Sequence, residues 1–146
     1  MKQIQLLIKI RCAKLIPAFT LLLAGSIVCS QANGQTKKLW NAPASANALK
    51  NPLAGNTSVL KDAKILYVNT CSPCHGKNGK GDGPAAASLN PKPADHTSAA
   101  VQSETDGSLF WKIGDGHTPM PAYKNSLTDK QRWELVNYIR SLAKHK

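Results

Sequence analysis

"NTCSPCHG", residues 69–76, places two cysteines three positions apart with His75 directly after the second. Thiols at this spacing can close a redox disulfide, hold half of a zinc site or attach a haem covalently, and only the last needs the histidine. Zinc wants four ligands, commonly a second pair or a histidine doublet. No second pair exists beyond residue 32, and His96, His117 and His145 stand too far apart to form a doublet. A thioredoxin-like motif expects a βαβ neighbourhood. Here Gly76, Gly79, Gly81 and Gly83 follow at once, and nothing reads as a strand of useful length. The motif therefore implies one covalent haem c, with Cys71 and Cys74 as the attachment thiols and His75 as an axial ligand of the iron.

The sixth iron position decides whether such a centre passes electrons or binds an added molecule. Met1 falls in the N-terminal segment read below as removed, which leaves Met120, in "GHTPMPAY", 45 residues beyond His75. Pro119 and Pro121 flank it and restrict the local backbone, so a thioether can be held there without a helix. Met120 is the expected ligand, and His117 is its rival. Thioether coordination raises the potential, as an electron carrier requires.

The chain has 146 residues, with 19 basic and 8 acidic side chains. Lys2, Lys9, Arg11 and Lys14 precede an uncharged run, residues 15–29, "LIPAFTLLLAGSIVC". A basic flank, an apolar run and a small polar exit describe a secretory signal peptide over residues 1–32, cut after Ala32 or after Gly34. The run is shorter than the roughly 20 apolar residues of a spanning helix. A retained anchor and lipid attachment at Cys29 are the minority readings; Ser26, Ile27 and Val28 approach that cysteine poorly. Intact mass is expected to place the mature terminus near Asn33 or Gln35, outside the cytoplasm in the periplasm or beyond; a lipid-bearing Cys29 terminus would overturn this.

Without that segment the net charge is +7, spread singly over the chain. Such an excess suits acidic redox partners. Nucleic acid is excluded as a partner, because the lysines do not cluster and no recognition motif is present.

Residues 33–57, rich in Asn, Ala and Pro, read as a linker or an arm laid on the surface of the domain formed by 58–146. Trp40 is the arm's one large aromatic, and its docking decides between an ordered arm and a tether. Residues 58–70 carry Val59, Ala63, Leu66 and Tyr67 on one helical face. Thr105 or Asp106 caps a short helix holding Leu109, Phe110, Trp111 and Ile113, expected to end at Gly114. Thr128 and Gln131 form a capping-box pattern ahead of Trp133, Leu135, Val136, Tyr138, Ile139 and Leu142. The run 76–93, full of glycine and proline, suits a loop wrapping a flat cofactor.

Taken in order, "CSPCHGKNGKGDGP", "DGSLFWKIGDG", "TPMPAY" and "LTDKQRWELVNYIRSL" resemble a class I bacterial cytochrome c from about Val59 to Leu142. The resemblance implies an all-α fold whose first and last helices cross beside the haem, and an electron carrier rather than an enzyme. It assigns to Pro84 the carbonyl that holds the Nδ1 proton of His75. Tyr67, Phe110 and Trp111 become candidates for packing on the haem. Where that family carries glycine at the helix crossing, this chain has Ala63. The alternatives are a fixed electron-entry subunit of an oxidase or reductase, tethered through 33–57, and a haem enzyme or gas sensor using His96 or His117 as distal base.

Overall fold

The computed structural model describes residues 40–143, which belong to the unit Lys38–Lys146. The expected signal peptide and the start of the arm lie outside the described residues. In chain order the helices are α1 (Ala44–Asn47), α2 (Leu60–Thr70), α3 (Ser72–His75), α4 (Ala99–Gln102), α5 (Asp106–Asp115) and α6 (Asp129–Leu142). A 3₁₀ turn lies at Ala86–Ser88. Among the described residues there is no strand, only an isolated bridge between His117 and Met120. The architecture is all-α.

The capping box starts α6. Thr128 Oγ1 accepts from the Gln131 amide at 3.2 Å, and Gln131 Oε1 accepts from the Thr128 amide at 2.9 Å. Two otherwise unpaired amides are thereby satisfied. The apolar positions of α6 then meet α2, whose Ala63 and Tyr67 are fully buried. Ala63 has only a methyl group to place in that contact, so the helices meet without glycine. Tyr67 packs on Tyr138 with ring centroids 4.9 Å apart.

Thr105 is the cap of α5: its hydroxyl accepts from the Ser108 amide at 3.0 Å. The helix does not stop at Gly114, which is buried within it. It runs one residue further to Asp115, and Gly116, at φ +67°, takes the left-handed turn that ends it. Arg140 of α6 closes the end of α4, donating to Gln102 O at 3.0 Å, and pairs with Asp106 at 2.8 Å. That arginine ties three helices together.

From Trp40 onward the arm lies on the domain. α1 packs against α5, where Ala46 O comes so close to Gly107 that a Cβ on that glycine would strike it. Asn51 Nδ2 donates to Asp106 at 2.9 Å and to Asn137 at 2.8 Å, while Asn137 Nδ2 donates to Leu53 O at 2.6 Å. The arm is fastened to both long C-terminal helices by polar contacts as well as by packing.

Candidate haem-binding site

A cavity of about 910 Å³, counting space open to solvent, lies between the CxxCH turn and the Met120 loop. Cys71, Cys74, His75 and Met120 all line it, with Ile113, Tyr123 and Ile139 among the apolar contributors. Four residues singled out for one cofactor thus meet at one cavity.

The cysteines are free and half-buried. Burial, reinforced by the neighbouring Cys74, pushes the Cys71 thiol up to about 12. A redox dithiol works through a lowered pKa, so this environment is the reverse of what disulfide exchange requires. Zinc fares no better: among the described residues no three His, Cys, Asp or Glu side chains converge.

His75 is positioned by the loop that follows it. Its Nδ1 donates to the Ala94 carbonyl at 3.0 Å. Because a carbonyl only accepts, the proton sits on Nδ1 and the Nε2 lone pair is left for a metal. Burial lowers the His75 pKa, partly opposed by that hydrogen bond, and so favours the neutral ring that ligates. The partner is not Pro84, as the resemblance implied. After the 3₁₀ turn the chain comes back across CxxCH, with the His96 amide donating to Gly79 O at 2.6 Å. That return brings Pro93 and Ala94, rather than Pro84, to the cavity wall.

The Met120 loop is fixed at both ends. Gly116 lies against Pro121 and Ala122 with no room for a side chain. His117 and Met120 exchange backbone hydrogen bonds, 2.9 Å from the His117 amide and 2.8 Å from the Met120 amide. Beyond it, the Tyr123 and Lys124 amides donate to Ile113 O and Gly114 O at 3.1 and 3.0 Å. His117 also lines the cavity, so the rival ligand is near, but its ring is stacked on Trp40.

The three packing candidates are elsewhere. Tyr67 fills the α2–α6 contact and bonds His96 Nδ1 through its hydroxyl at 2.9 Å. Phe110 stacks on Trp133 at 4.0 Å, and Trp111 faces Trp40 at 6.3 Å. None of the three lines the cavity. Sequence reasoning named His96 only as a distal base for the alternative reading and Trp40 only for its docking, and it missed Leu89, Pro91 and Ala94 as wall residues. His96 stacks on His75 at 4.0 Å, and its pKa is pushed down to about 3 by burial first and then by His75, with Asp95 opposing.

This donor set fits a covalent haem: two thiols in the attachment spacing, an imidazole with its metal-binding nitrogen free, and a thioether on the same cavity. Comparison with known proteins agrees. The family model for cytochrome c oxidase, cbb3-type, subunit III matches residues 58–139. Among solved structures, the chain is similar to one from the Kuenenia stuttgartiensis reducing HAO-like protein complex, with 29% identity and a TM-score of 0.57. That match covers 64% of this chain and 49% of the other, so the chain spans about half the length of the structure it resembles. No curated protein matches it. With more than half of the chain matched by one family model, and the haem-attachment motif and Met120 loop on a single cavity, the protein belongs to the cbb3-type cytochrome c oxidase subunit III family and is a c-type cytochrome.

Proposed function

We propose that the protein is an exported, monohaem electron carrier, ligated by His75 and Met120, that passes single electrons between respiratory-type redox proteins. One observation carries this reading: residues from two distant stretches, His75 and Met120, meet at one cavity with both attachment cysteines. Haem supplies a one-electron iron couple, and no substrate bond need be made or broken by the chain. The residues' work is to hold. The Ala94 carbonyl orients His75, and the Gly116–Lys124 hydrogen bonds keep Met120 in one place through both oxidation states. The apolar wall of Ile113 and Ile139 limits water and favours the less charged, reduced centre.

Lys61, Lys64 and Lys77, which have no acidic partner closer than 4 Å among the described ion pairs, supply the positive field for an acidic partner. Lys124, by contrast, is paired with Asp115 at 3.3 Å. The same reading places the protein outside the cytoplasm, in the periplasm, with the expected signal peptide removed. Among the described residues no helix is long and apolar enough to cross a membrane.

The similarity to part of a multi-protein complex favours a second reading, a fixed electron-entry subunit, in which the same site serves a permanent partner. The experiment is stopped-flow transfer from the reduced protein to a membrane oxidase or reductase fraction of its source cells. For a diffusing carrier the second-order rate falls as salt rises, since steering is screened over about 8 Å at physiological ionic strength. Co-purification with an unvarying first-order rate supports the subunit. Rapid carbon monoxide binding by the ferrous wild type overturns both in favour of a sensor or haem enzyme.

A further inference from the structure

We propose that Trp40 is a positioning residue for the Met120 loop: the arm carries its indole onto His117, and through His117 it clamps Met120 in the liganding position. The inference rests on the reading of Met120 as the sixth ligand and adds what keeps it there.

The chain of contacts is short. The Trp40 and His117 rings are stacked, with centroids 5.3 Å apart and planes 29° from parallel. His117 is joined to Met120 by the reciprocal pair of backbone hydrogen bonds. Met120 therefore cannot swing off the cavity as part of its loop without drawing the imidazole from under the indole. Behind the indole stand Trp111, at 6.3 Å, and Lys112, whose Nζ lies 5.3 Å over the ring. Lys112 is itself held by Glu104 at 2.6 Å. The clamp is braced against α5.

Core filling does not account for this placement. Trp40 is half-buried and lies outside the hydrophobic core cluster, yet it lines the same cavity as Met120. The family match begins at residue 58, so the arm is added to the shared domain. Its fastenings, α1 against Gly107 and Asn51 between Asp106 and Asn137, fix the segment that delivers Trp40.

A clamp acts on the ratio of closed to open loop. An external ligand that needs the open form binds with an affinity reduced by the open fraction, so loosening the loop raises that affinity. The probe is imidazole titrated into the ferric, full-length holoprotein. Trp40→Ala is expected to raise its apparent affinity about three- to tenfold, the size of one aromatic pair. Trp40→Phe keeps a ring on His117 and stays near wild type. His117→Ala gives the same rise as Trp40→Ala, and the double variant adds nothing further, because both remove one contact. The sulfur-to-iron charge-transfer band persists in all of them. A Trp40→Ala protein with a lower melting temperature but unchanged imidazole affinity overturns the clamp, and so do additive effects of the two substitutions. If Met120→Ala binds imidazole no better than wild type, the ligand assignment falls and the clamp with it. If Met120→Ala opens the site while Trp40→Ala does not, the clamp alone falls.

Discussion

Cys71→Ala combined with Cys74→Ala is expected to give a chain with no covalent haem and no cooperative unfolding transition. The helices that would have to fold alone are short: α1, α3 and α4 have four residues each, and only α2, α5 and α6 exceed two turns. Isolated helices below about 12–15 residues are marginal in water, so their stability must come from what they pack on. α2 and α6 have each other. The Met120 loop, Ile113, Leu89 and the loop past Pro91 instead face the cavity of about 910 Å³. Without a filler, the apolar side chains of that wall lose their burial, at about 1.5–3 kcal/mol for each large one. An ordinary domain has only about 5–15 kcal/mol of stability in total. The loops must therefore collapse inwards or open to water, and either change releases the hydrogen bonds from Tyr123 and Lys124 to α5. Far-ultraviolet circular dichroism through a urea titration, with haem staining of the denatured chain, reads both halves of the expectation. A sharp native-like transition without haem would mean that the helices carry the fold by themselves and that the cavity is not a cofactor site.

What was legible in the sequence was whatever local chemistry fixes by itself. Thr128 and Gln131 announce α6 because a capping box is closed within four residues. Thr105 does the same for α5. The end of α5 was misplaced at Gly114 because two glycines stand within three positions, and only the backbone geometry tells which one adopts positive φ. Pro84 was chosen for the His75 hydrogen bond when the carbonyl belongs to Ala94, because the route of a long loop is set by tertiary contacts such as His96 to Gly79. Likewise, helical periodicity puts Phe110 and Tyr67 on buried faces without saying what covers them. Trp133 covers Phe110, and Tyr138 and His96 cover Tyr67. Beyond Ile113 and Ile139, much of the cavity wall (Leu89, Pro91, Pro93 and Ala94) comes from a segment with no periodicity at all.

Replacing Met120 with alanine is expected to change the iron centre more than any other single substitution in the loop. With the thioether gone, the sulfur-to-iron charge-transfer band of the oxidised protein disappears, and the reduced protein, slow to bind carbon monoxide in the wild type, binds it readily. The potential falls by on the order of 0.1–0.3 V, a fraction of the roughly 0.8 V that axial ligands span, because thioether coordination favours reduced iron. Folding is not at risk to the same degree. Met120 is half-buried at the margin of the core, and the loop keeps the His117–Met120 backbone pair, which an alanine at 120 can still make. His117→Ala is the matching control. It retains the same backbone pair and loses only the imidazole stacked on Trp40, so the charge-transfer band and the potential stay close to wild type while the loop opens slightly more often. The two variants separate the two ligand sets. If His117→Ala abolishes the native spectrum and Met120→Ala leaves it intact, the centre is bis-histidine, the potential is lower than a Met-ligated carrier needs, and the partners must be sought among more reducing donors.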